Sequence, residues 1–82
     1  MNTQRAFSYL KSEIRSRALR NGTVSAVDVR NVMRRHLTGI SRGAFVTNAF
    51  RQLISEGFLV STSETTVNPD SGREVTVYRV NV

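Results

Sequence analysis

The spacing of apolar positions divides this chain into three helical stretches followed by two extended ones. In the first, Phe7, Leu10, Ile14 and Ala18 recur at three- and four-residue steps, with Tyr9 and Leu19 beside them. A helix is expected from about Thr3, suited to the N-cap, to about Arg20, where Asn21-Gly22 supplies the left-handed residues that end it. Thr23-Val24 is too short for a conventional strand, but it can add one or two ladder bonds to a sheet elsewhere. Ser25 is expected to cap a second helix, running to about His36, with Asp28 completing a capping box. Val24 and Val29 are spaced for a hydrophobic staple. Val29, Val32 and Met33, with Leu37 as a further candidate, form the buried stripe, and Arg30, Arg34 and Arg35 point elsewhere.

Thr38-Gly39-Ile40 reads as a turn, and the third helix as residues 41–57 with Ser41 at its cap. Wound at about 100° per residue, it places Val46, Ala49, Phe50, Leu53 and Ile54 on one side, with Phe45 at the margin. The opposite side carries Ala44, Thr47, Asn48, Arg51 and Ser55, with Arg42 and Gln52 nearer the flanks. This outer face holds no acid until Glu56, and its side chains are of the types that read base edges in a major groove. Gly57 stands where a left-handed C-terminal residue belongs, and Phe58 can pack back on Leu53 as in a Schellman ending. Two helices joined by a tight Gly-containing turn, the second with a polar outer face, make a helix-turn-helix.

Beyond Gly57 the period becomes extended. Phe58–Val67 is rich in Phe, Val and Thr, Asn68-Pro69-Asp70-Ser71-Gly72 is a turn, and Glu74–Val82 is a second strand. Tyr78, Val80 and Val82 share one face of that strand while Val75 and Val77 fall on the other, a switch that points to a bulge or to a strand leaving the core.

With 82 residues, 39% of them hydrophobic, the chain holds one small α+β domain, residues 1–82. It has no cysteine, hence no disulfide or thiolate metal site. The longest apolar run, Phe58-Leu59-Val60, is far short of a membrane span, and the N-terminus lacks a signal-peptide pattern. A cytoplasmic protein with no membrane association is expected.

Charge changes the picture most. Twelve Lys+Arg against six Asp+Glu give +6, with a pI near 11.4, and every base but Lys11 is an arginine. The excess is uneven: residues 1–60 carry ten bases against three acids, whereas residues 61–82 carry two against three. A basic helical half with a near-neutral tail suits a polyanion, and nucleic acid is the expected partner. Catalysis is not expected. His36, the one histidine, has neither a Cys nor a neighbouring carboxylate beside it, the acids lack paired or metal-ligand spacing, and the five glycines form no phosphate-cradling motif. No cofactor is expected. Phe7, Phe45, Phe50 and Phe58 lie on or beside apolar stripes, so no aromatic platform for RNA stands out.

The order helix, short extended piece, helix, turn, helix, hairpin resembles the winged helix-turn-helix family of DNA-binding domains. The resemblance runs from Thr3 to Val82. It is carried by GTVSAVDVR, by ISRGAFVTNAFRQLISEGFL and by VNPDSGREVTVYRV, with Leu53-Ile54-Ser55-Glu56-Gly57-Phe58-Leu59 the most family-like segment. The resemblance implies a three-helix fold with a C-terminal two-stranded β-hairpin wing. It also implies double-stranded DNA as partner, with Ala44, Thr47, Asn48 and Arg51 toward base edges and Ser41 and Arg42 toward phosphate or base. Arg34 and Arg35, with Arg5 or Lys11, would meet flanking phosphates, and Arg73 at the wing tip, supported by Asn68 or Ser71, would meet the backbone or minor groove. Glu64, Asp70 and Glu74 make this wing more acidic than that role suits.

A small, sequence-specific transcriptional regulator of phage or mobile-element type, monomeric or homodimeric and nucleoid-associated, follows as the expectation. Two alternatives remain: an architectural DNA-binding factor in recombination or replication, and a protein-interaction module that docks an acidic partner on its arginines.

Overall fold

The computed structural model describes residues 3–32 and 42–81. Helix α1 spans Thr3–Asn21 and helix α2 spans Arg42–Ser55. Strands β1 (Thr23–Val24), β2 (Leu59–Val67) and β3 (Glu74–Val80) form one antiparallel sheet in the order β1-β3-β2. The result is a small α+β fold in which the last two strands are part of a three-stranded sheet. Met33, Arg34, Arg35, His36, Leu37, the Thr38–Ile40 turn, Ser41 and Val82 lie outside the described residues.

The stripe on α1 buries Leu10, Ile14 and Ala18 completely and adds Ala6, while Phe7 lies half-buried at its edge. Gly22, at φ 84°, donates its N–H to the Ala18 carbonyl at 2.7 Å and turns the chain into β1. Asn21 stays helical, so Gly22 alone takes the left-handed conformation. Thr23 pairs with Arg79 and Val24 with Tyr78, which makes two residues enough for a third strand.

The segment after β1 departs from expectation. Residues 26–29 form turns and helical geometry begins at residue 30. Asp28 returns its carboxylate to the Ser25 N–H at 2.7 Å, which is half of a capping box. The other half is missing because the Asp28 N–H is taken by the Ser25 carbonyl at 3.1 Å, and the Ser25 hydroxyl turns to the carboxylate at 3.4 Å. The staple residues Val24 and Val29 are both buried in the core.

α2 packs its inner face on α1 and the sheet. Phe45, Val46, Ala49, Phe50 and Leu53 are buried, and the Phe45 ring meets Phe7 edge-on at 5.4 Å. Each fully buried large aliphatic side chain, such as Leu10, Ile14, Leu53 or Leu59, contributes roughly 1.5–3 kcal/mol by leaving water. Ile54, expected on the inner side, is 38% exposed, because it falls past the edge of the arc that α1 and the sheet cover. α2 ends in a full Schellman motif: Phe58 N–H donates to Leu53 O at 2.9 Å and Gly57 N–H to Ile54 O at 3.0 Å, with Gly57 at φ 81°.

β2 and β3 pair as Leu59↔Val80, Val60↔Arg79 and Ser61↔Tyr78, and again as Thr65↔Thr76, Thr66↔Val75 and Val67↔Glu74. Between these blocks β2 carries Thr62, Ser63 and Glu64 where β3 has Val77 alone. The bulge is on β2, and Thr62 repairs it: its hydroxyl donates to the Val77 carbonyl at 2.7 Å and accepts from the Glu64 N–H at 3.1 Å. β3 ends at Val80, and Asn81 closes the corner, donating its backbone N–H to Phe58 O at 2.9 Å and its side-chain amide to Gly57 O at 3.1 Å.

Two ion pairs clasp α1 to the end of α2. Glu56 accepts from Lys11 at 2.5 Å and from Arg15 at 2.9 Å, and Lys11 also donates to Gln52 Oε1 at 2.6 Å. The Lys11 hydrogen bond, aided by Arg15, holds the Glu56 carboxyl below its ordinary value of 4.5. A carboxylate lowered on folding stabilises the fold at pH values above that ordinary value, and the effect is lost as pH falls through the lowered one. In an acid titration followed by thermal melting, Glu56→Gln is therefore expected to flatten the decline in stability below about pH 4.5. Parallel curves for the two proteins would refute the clasp. At Gly57 a Cβ would meet open space, so the cost of Gly57→Ala is that of the left-handed backbone, about 1 kcal/mol, or a melting temperature lower by about 4–8 °C. An unchanged melting temperature would show that the chain turns there without it.

Candidate nucleic-acid interface

The outer face of α2 is presented to solvent because both flanks are occupied: Gln52 is held by Lys11 of α1, and Phe50 stacks on Tyr78 of β3 at 4.9 Å and 23°. Between these flanks Ala44, Thr47, Asn48 and Arg51 are all exposed. Thr47 donates its hydroxyl to the Gly43 carbonyl at 2.9 Å, which leaves its oxygen as an acceptor. Among the described residues Asn48 and Arg51 form no ion pair or side-chain hydrogen bond, so an amide with both donor and acceptor and a five-donor guanidinium stand available. Arg42 heads the helix, and no acid lies in its first turn. Of the residues singled out in the sequence, the structure thus gathers Ala44, Thr47, Asn48 and Arg51 on one surface, while Ser41, Arg34 and Arg35 fall outside the described residues.

Other basic residues are engaged within the fold. Lys11, offered above as a phosphate contact, has a side chain only 13% exposed and is turned toward Glu56 and Gln52. Arg15 shares Glu56, Arg17 pairs with Glu13 at 3.4 Å, and Arg30 pairs with Asp70 at 3.5 Å. The last of these draws the hairpin tip toward the segment that follows β1.

The tip is built by its own side chains. Asn68 and Arg73 close the turn with a backbone bond of 2.8 Å, and the Asn68 carbonyl accepts from the Gly72 N–H at 2.7 Å with Gly72 at φ 72°. Asn68 Oδ1 accepts from the Asp70 N–H at 2.9 Å and Ser71 Oγ from the Arg73 N–H at 3.3 Å. Both side chains expected to support Arg73 toward a ligand are therefore committed to the turn. Arg73 itself is exposed.

Sequence reasoning did not anticipate that β3 would meet α2. Thr76 and Tyr78 share a groove with Thr47 and Arg51, and the alternation that puts Tyr78 on the inner face of β3 was the only signal available. Among the described residues no cluster of His, Asp or Glu could hold a metal ion, and no helix is long and apolar enough to cross a membrane. No protein-family model, curated protein or solved structure matches the chain.

Proposed function

We propose that this protein binds double-stranded DNA with a preference for sequence, as a winged helix-turn-helix whose helix α2 lies in the major groove, and that it regulates transcription. The observation that carries the reading is the outer face of α2, where exposed Ala44, Thr47, Asn48 and Arg51 form an acid-free surface on a chain of net charge +6. Small residues let a groove wall approach, Asn matches the paired donor and acceptor of adenine, and the basic charge supplies the sequence-independent attraction. The placement of β1 after α1, and the sheet order β1-β3-β2, support the winged arrangement. In this reading Ser41 and Arg42 approach phosphate at the start of α2, Arg34 and Arg35 approach flanking phosphates, and Arg73 lies at the wing tip.

The acids Glu64, Asp70 and Glu74 on the hairpin favour a second reading, in which the fold docks a protein. Selection from a random duplex pool at near-physiological salt separates the two. Enrichment of one motif is expected, with Asn48→Ala costing about 1–3 kcal/mol on that motif and little on unrelated duplexes. Neutralising four to six phosphates sets a slope of log K against log salt of about −4 to −5. Salt-sensitive binding without enrichment would make the protein an architectural factor. No binding to any duplex would overturn the reading and leave the protein-docking one.

A further inference from the structure

The flank of α2 that faces the sheet borders a groove of about 310 Å³. Buried Val46 and Phe50, with half-buried Tyr78, give it an apolar part, and Thr47, Arg51 and Thr76 line it beside them. Among the described lining residues none is acidic, and Arg51 carries the one charge. The hydroxyls of Thr76 and Tyr78 make no hydrogen bond among the described residues. A cation, two hydroxyl donors and an apolar surface in one groove match the chemistry of a sugar–phosphate strand: the anion meets Arg51 and the hydroxyls, and the sugar faces the apolar side chains.

The hairpin tip offers no such excess of positive charge. Asp70 and Glu74 stand there beside Arg73, Asn68 and Ser71 are used by the turn, and Asp70 holds the tip toward Arg30. At the tip the acids are balanced by Arg30 and Arg73, whereas the groove offers a cation with no acid among its described lining residues.

We propose that the groove between α2 and β3 seats one phosphodiester strand of the duplex, with Arg51 as its cation and Thr76 and Tyr78 as its hydroxyl donors. The proposal rests on the duplex reading above. It moves the wing's contribution from the tip to the inner flank of β3, and it makes Arg51 a phosphate contact where the resemblance implied a contact to base edges.

The test is a fluorescence titration of the full chain with labelled duplexes of several sequences over a range of salt, with a thermal melt of each variant. Thr76→Glu, which places a carboxylate in the groove, is expected to weaken binding by about 30-fold. Thr76→Lys is expected to tighten it by about threefold and to steepen the salt slope by about one, a gain that a merely structural position would not produce. Arg51→Ala is expected to weaken every duplex alike, by about tenfold, with the salt slope shallower by about one, and Arg73→Ala to stay within about twofold. The proposal is overturned if both Thr76 variants match the parent while Arg73→Ala weakens binding, or if Arg51→Ala affects one motif alone. In either case duplex binding itself stands. A parent protein that binds no duplex overturns the duplex reading instead.

Discussion

The position of α2 is decided at its C-terminus, within the few residues Leu53–Phe58. Gly57 in the left-handed conformation lets the Schellman bonds form, and these aim the chain directly into β2. Glu56, one residue earlier, is then in reach of Lys11 and Arg15 on α1, and Asn81 reaches back to the Gly57 and Phe58 carbonyls from the far end of β3. Helix, sheet and first helix are thus tied at one corner. The outer face of α2 inherits its exposure from that corner, since rotating the helix would break the Lys11–Gln52 contact on one flank and the Phe50–Tyr78 stack on the other.

Local grammar made much of this legible in advance. The stripe Leu10, Ile14, Ala18 and the stop at Gly22 follow from helical period and from the one residue type that turns left without strain. The same grammar foresaw the ending at Gly57, the two-residue strand at Thr23-Val24, the turn at Asn68–Gly72 and the exposure of Ala44, Thr47, Asn48 and Arg51. What escaped it depends on which distant elements meet. Ile54 was placed inside because its angle lies near the apolar arc, yet the width of that arc is set by where α1 and the sheet stop. The switch of faces on β3 points equally to a bulge or to a strand leaving the core, and that it is a bulge, on β2 opposite Val77, depends on pairing between strands. The capping box failed by half because the backbone carbonyl of Ser25 competed for the same N–H.

Charge was the property whose total was plain and whose distribution was not. A sum of +6 does not say that Lys11 and Arg15 are drawn onto one carboxylate, or that Arg30 is drawn to the hairpin. These partners are 40 or more residues apart in the chain and have no periodic signature. Such exposed pairs stabilise only modestly. Their larger effect is to select which arginines remain outward, and Arg51 is among those.

The bulge at Thr62–Glu64 has a bearing on how the protein coexists with itself. β2 is an outer strand nine residues long, rich in Ser, Thr and Val and free of proline, the composition of a strand onto which a second chain could add. The bulge breaks that outer strand into two runs of three paired residues and adds a negative charge, Glu64, at the break. The regular edge is thereby cut from nine residues to runs of three, with a charge between them. One irregularity, stitched by a single threonine hydroxyl, therefore makes the outer margin of the sheet a poorer surface for strand addition than a regular nine-residue edge.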